Sequence, residues 1–236
     1  MNLMPTTLAF IPYLDPTLIL LIPGLLLSGW AQAKISSTYN QYAQVGNDRG
    51  LTGAQVARYI LDQSGLTSIP VEPVAGELTD HYDPKGKTLR LSEGVFANQS
   101  VAALGIAAHE VGHAIQDAQN YTPMRIRGAI VPLASLGSNL SIVLILIGLA
   151  MGGGNRLTQI GLLFFLFTVL FQLITLPVEF DASRRAVKIL DTGILNPQEM
   201  VGAKKVLSAA AWTYVAAAVT GILSLLRLML LSRRRD

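Results

Sequence analysis

The chain holds only three histidines, and two of them frame the segment His109-Glu110-Val111-Gly112-His113. On a helix, positions i and i+4 lie on one face about a turn apart, so both imidazoles can point at one metal ion. Zinc suits that spacing, at roughly 2.0–2.1 Å from each ring nitrogen. Glu110 projects beside the pair, where its carboxylate can take a proton from water activated by the ion. The pattern is that of metal-assisted hydrolysis. With no cysteine in the chain, a thiolate site and a disulfide framework are both excluded.

A catalytic zinc needs a third protein ligand and one open position. Six residues after His113, where another histidine would complete one known arrangement, the chain has Gln119, and no histidine follows. The third ligand is therefore His81 or a carboxylate. Glu179 is the best carboxylate, since Ala182, Ser183 and Ala186 continue its helical face with small side chains that admit a neighbouring helix. Hydrolysis also needs a donor for the developing oxyanion. His81, Tyr82 and Arg184 are the candidates.

The elements that must position these residues lie in a membrane protein. Half the residues (51%) are hydrophobic and 14% are charged, against about a quarter charged in soluble domains. Uncharged runs of 18, 28, 22 and 21 residues follow Asp15, Arg127, Arg156 and Lys205, each near or above the roughly 18–20 needed to cross a bilayer. Four spans are expected, about Thr17–Ala33, within Gly128–Met151, Leu157 to about Leu176, and Val206 to about Leu226. No basic face interleaved with aromatics is present, so nucleic acid is not an expected partner. The first span ends in Ala31-Gln32-Ala33, a small-x-small pattern, but no Lys or Arg precedes Lys34. An uncleaved anchor is expected rather than a cleaved signal.

Five segments follow: an anchor (1–33), a polar domain with the histidine helix (34–127), a membrane hairpin (128–176) turning at Gly152-Gly153-Gly154-Asn155, a helical segment with Glu179 (177–205), and a last span with a basic tail (206–236). In the polar domain, Thr52 reads as the N-cap of a helix with Val56, Tyr59 and Ile60 on one face, stopped by Gly65. Val71–Val74 and Thr88–Ser92 read as short strands. The second can offer an edge to an extended substrate. Pro177 is expected to open a new helix, Val178–Leu190, and Asn196-Pro197 another. Parity of four spans puts both polar segments on one side, with 13 of the 18 basic residues. The positive-inside rule makes that side the cytoplasm, although Arg233-Arg234-Arg235 then lies opposite.

The histidine segment, followed far downstream by Glu179-Phe180-x-Ala182-x-Arg184, resembles the gluzincin type of membrane metallopeptidase, as in the HtpX and Ste24 proteases. The layout as a whole, with Asp80-His81-Tyr82-Asp83-Pro84 and Leu89-x-Leu91-Ser92, is more similar to the bacterial YugP-like neutral zinc metallopeptidases, over nearly the full chain. The resemblance implies one zinc on His109, His113 and Glu179, with Glu110 as general base, in a small α+β zincin-like domain attached to about four transmembrane helices. It implies a polypeptide substrate and a bacterial cytoplasmic membrane location. In one departure, Ser183 stands where HtpX-like enzymes have an aspartate, and Asp181 lies on another helical face. Two other readings compete: a site-2 type intramembrane protease, with the histidine helix crossing the bilayer and Asp191 as ligand, and a non-enzymatic adaptor with structural zinc closed by His81.

Overall fold

The computed structural model describes residues 15–152 and 155–233. The centre of the hairpin turn, Gly153-Gly154, and the end of the basic tail, Arg234-Arg235, lie outside them. A short 3-10 turn, Pro16–Leu21, leads into α1, Ile22–Tyr42. The expected first span thus continues past Ala33 for a further nine residues, because no proline or cap interrupts it.

Thr52 does cap α2, Gly53–Gln63, in a capping box with Gln55. Its buried stripe is Val56, Ala57, Ile60 and Leu61, while Tyr59 is 53% exposed. At 100° per residue Tyr59 falls about 130° from the centre of that stripe, so it does not share the face of Val56 and Ile60. Beyond Gly65, at φ +72°, come three strands: β1 Val71–Val74, β2 His81–Asp83 and β3 Thr88–Ser92. The sheet order is β1-β3-β2, with β1 parallel and β2 antiparallel to β3. A central β3 has partners on both sides and no free edge. Contrary to expectation, the edge beside the histidine helix belongs to β2.

After a single turn, α3 (Glu93–Phe96), comes α4, Val101–Ala118, which starts at Ser100, whose hydroxyl accepts from the Ala103 N–H. Leu104, Ala108, Val111 and Ile115 of α4 join Val56, Ile60, Leu89 and Leu91 in one core. Three long helices follow: α5 Thr122–Ala150, α6 Arg156–Leu190 and α7 Pro197–Arg233. With Pro16–Tyr42 they make four helices long and apolar enough to cross a membrane. Helix α1 packs on α7, α7 on α6, and α6 on α5. Glycines permit the tightest of these contacts: a Cβ on Gly161 of α6 would sit 2.9 Å from the Ile145 nitrogen of α5.

No new helix begins at Pro177, which lies inside a continuous α6. An internal proline costs a helix about 3 kcal/mol. Here the stripe Val178, Ala182, Ala186 and Leu190 is fully buried beyond it, and that packing outweighs the local cost. Helix α7 likewise runs unbroken from Pro197. Its start is held by Asn196, whose side chain accepts from the Glu199 N–H at 2.9 Å while Glu199 accepts from the Asn196 N–H at 2.8 Å. The polar helical stretches after Pro177 and Pro197 are therefore continuous with the long apolar parts of α6 and α7.

Candidate metal centre

His109 and His113 face the same way from α4, their ring centroids 4.8 Å apart and nearly perpendicular. Between them Gly112 presents bare backbone to α6. A Cβ there would lie 2.8 Å from the Ala182 carbonyl oxygen and 3.2 Å from its Cα. This close approach sets the distance between the two helices, and Glu179 sits one turn before Ala182 on the same face. Gly112→Val is expected to force the helices apart and to cost about 1–3 kcal/mol by overpacking. A lowered Tm measured in detergent, together with lost metal binding, checks this.

Glu179 is brought to the histidines across 70 positions of chain. Its Oε2 lies 3.2 Å from His109 Nε2 and 3.5 Å from His113 Nε2. The donor atoms of all three residues fall within 4.8 Å of one another, and the Glu179 side chain is only 3% exposed. Burial pulls the His113 pKa down, but the Glu179 hydrogen bond and the Glu110 and Glu179 charges more than offset it, and the net direction is up.

Each residue of the cluster is itself held. His109 Nδ1 is 3.1 Å from the Ser183 hydroxyl, so the serine at the departing position orients the ring from its far side. His113 Nδ1 is 3.0 Å from Gln116 Oε1. The Gln116 amide donates in turn to the Val178 carbonyl (2.8 Å) and to Asp181 Oδ2 (2.9 Å). Asp181 also accepts from Arg185 at 2.6 Å, and thus supports the site through Gln116. Outer partners of this kind set tautomer and ring direction in metal sites.

Glu110 accepts from the Tyr82 N–H at 3.1 Å, which fixes its carboxylate beside β2. Glu110 and His113 line a cavity of about 410 Å³ that His81 and Tyr82 border on one side and Arg127, Glu179 and Tyr214 on another. His81 is exposed at the rim, its Nδ1 donating to the Thr79 carbonyl at 2.8 Å. The Tyr82 hydroxyl is spent on Asp117 at 2.7 Å, and burial first, then Asp117, pushes its pKa well above the ordinary tyrosine range.

Other expected residues are elsewhere. Arg184 is exposed on the outer side of α6, in a separate hollow with Phe180, Ser183 and Lys204. Asp191 caps the end of α6, exposed, and at 1.5 Å per residue stands about 18 Å along the helix from Glu179. Helix α4 is not among the helices suited to spanning. Asp191 thus stands well away from the cluster that the site-2 reading would have it join. His81 lies outside the cluster of three donors. Gln116, Arg127 and Tyr214 escaped the sequence reading. Gln116 carries a local signal, since it follows His113 at i+3; Arg127 and Tyr214 carry none.

The chain is similar to known proteins along almost its whole length. The family described as "Putative neutral zinc metallopeptidase" matches residues 17–233. "Putative membrane protease YugP" of Bacillus subtilis (strain 168) is 46% identical over 213 residues, covering 90% of this chain and 94% of the relative. No solved structure matches. The match over 17–233 takes in His109, His113 and Glu179, and the chain belongs to the family so described.

Proposed function

We propose that this chain is a membrane-bound zinc endopeptidase of the gluzincin type, with one zinc held by His109, His113 and Glu179 and with Glu110 as general base. The observation that carries the reading is the convergence of those three donors, two of which, His113 and Glu179, line one cavity with Glu110. The donor set fits the ion. Two imidazoles and a carboxylate are a recognised catalytic combination, and three protein donors leave a position open. Zinc bound there supplies a Lewis acid that polarises a carbonyl and makes water acidic enough to be deprotonated near neutral pH.

The residues of the chain do the rest. Glu110 receives the proton and delivers it to the leaving amine, held in place meanwhile by the Tyr82 N–H. His81 borders the cavity, and its Nδ1–H is engaged by Thr79. Only the charged form of its ring therefore has an Nε2–H to offer the oxyanion. Arg184 has no part in this scheme, because it lies on the other side of α6. Strand β2 is the edge next to α4, and an extended polypeptide can pair with it through backbone bonds that tolerate varied side chains. The α4 region together with the sheet makes the zincin-like part of the molecule, and the membrane helices complete it. Distribution of the basic residues favours the cytoplasmic face of a bacterial cytoplasmic membrane for this site.

Metal removal tests the reading. Full-length protein purified in detergent is expected to carry about one zinc per chain and to cleave an unfolded polypeptide such as casein. Treatment with phenanthroline should abolish cleavage, and added zinc should restore it. Protein that binds no zinc, or that cleaves equally well without it, refutes the proposal.

A further inference from the structure

The two oxygens of Glu179 have different company. Oε2 faces both histidines, whereas Oε1 is turned to the Arg127 guanidinium, 3.5 Å away. Arg127 comes from the start of α5, where its guanidinium also lies over the Phe171 ring of α6, 5.8 Å from the centroid. On the other flank, Tyr214 of α7 lines the same cavity as Glu179. Glu179 thus stands on one long helix, is paired with a cation from a second, and shares its cavity with a tyrosine of a third.

We propose that Arg127 and Tyr214 are positioning residues for the metal site, holding the Glu179 carboxylate so that Oε2 is the oxygen offered with the two imidazoles. The inference rests on Glu179 being a zinc ligand, as argued above. Its physical basis is that a carboxylate with rotatable side-chain bonds must be fixed to serve as a single-oxygen donor. A cation on Oε1 does this without competing for Oε2, and Tyr214 lines the cavity beside the same carboxylate. Burial of Glu179 strengthens the effect, since little water reaches the carboxylate itself. The placement also makes the ligand set depend on the packing of α5, α6 and α7, and not on α4 alone.

The test uses full-length protein in detergent and reads metal, not turnover. Zinc affinity is measured by chelator competition for wild type, Arg127→Met, Arg127→Lys and Tyr214→Phe, and the visible spectrum of each is recorded with cobalt(II) in place of zinc. Loss of an outer partner typically weakens metal binding by about 10- to 100-fold. That range is expected for Arg127→Met and for Tyr214→Phe, with a shifted cobalt spectrum, and with partial recovery in Arg127→Lys. Affinity within twofold of wild type and an unchanged spectrum in both Tyr214→Phe and an Arg127 variant overturn the proposal. Should Arg127→Met not fold, Arg127→Lys and Tyr214→Phe decide alone. A wild type that binds no zinc refutes the zinc assignment itself, an outcome separate from a wild type that binds zinc no more tightly than its variants.

Discussion

Glu110→Gln is expected to keep the wild-type zinc content and to lower kcat for peptide hydrolysis by about 10²- to 10⁴-fold. That is the range over which a general acid–base group acts. The substitution removes proton affinity and little else. A glutamine carbonyl still accepts the Tyr82 N–H that now meets Glu110 Oε2 at 3.1 Å, and the amide has nearly the volume of the carboxylate. His109, His113 and Glu179 are bound to other groups, so none of them loses a partner. The paired readout separates chemistry from assembly. Lost turnover with retained zinc assigns Glu110 to proton transfer, whereas wild-type kcat in the variant removes it from that role.

Glu179→Ala is expected to abolish zinc binding under conditions in which wild type retains the ion. Losing a ligand leaves two imidazoles and costs more than the about 10- to 100-fold attached to an outer partner. The fold should survive, because Arg127, the cation released, is already a third exposed and can turn to solvent. Elemental analysis of the variant beside wild type and Asp191→Ala makes the comparison. Asp191 lies at the far end of α6, so its variant should bind zinc as wild type does. Equal zinc in Glu179→Ala and wild type would take Glu179 out of the site.

The continuity of the long helices gives these two predictions a shared mechanical setting. Glu179 lies two residues beyond Pro177 in a helix that begins at Arg156, and Arg127 lies five residues into a helix that ends at Ala150. Any change in how the membrane helices pack is therefore felt at the donor atoms. The proline alone suggested a break there, and with it a hinge between bilayer and site. Burial of Val178 and Ala182 against α4 holds the helix through.

What the sequence determined by itself is what is local. His109 and His113 are one helical turn apart with Glu110 beside them, so the shared face of the two imidazoles follows from 3.6 residues per turn whatever the rest of the chain does. The four spans follow from the length of uncharged runs, the start of α2 from Thr52 and Gln55, and β1 and β3 from short β-prone runs between turns. Parity of the spans and the small residues on its face single out Glu179 among the carboxylates. Tertiary structure decided everything that depends on two distant elements meeting. It let α6 approach α4 at Gly112, made β2 and not β3 the free edge, put Ser183 behind His109, and turned Arg184 away. It also brought Arg127 to a carboxylate 52 positions away and put Tyr214 in the cavity that this carboxylate lines. Those pairings are set by packing of buried surfaces, which composition and periodicity describe one element at a time.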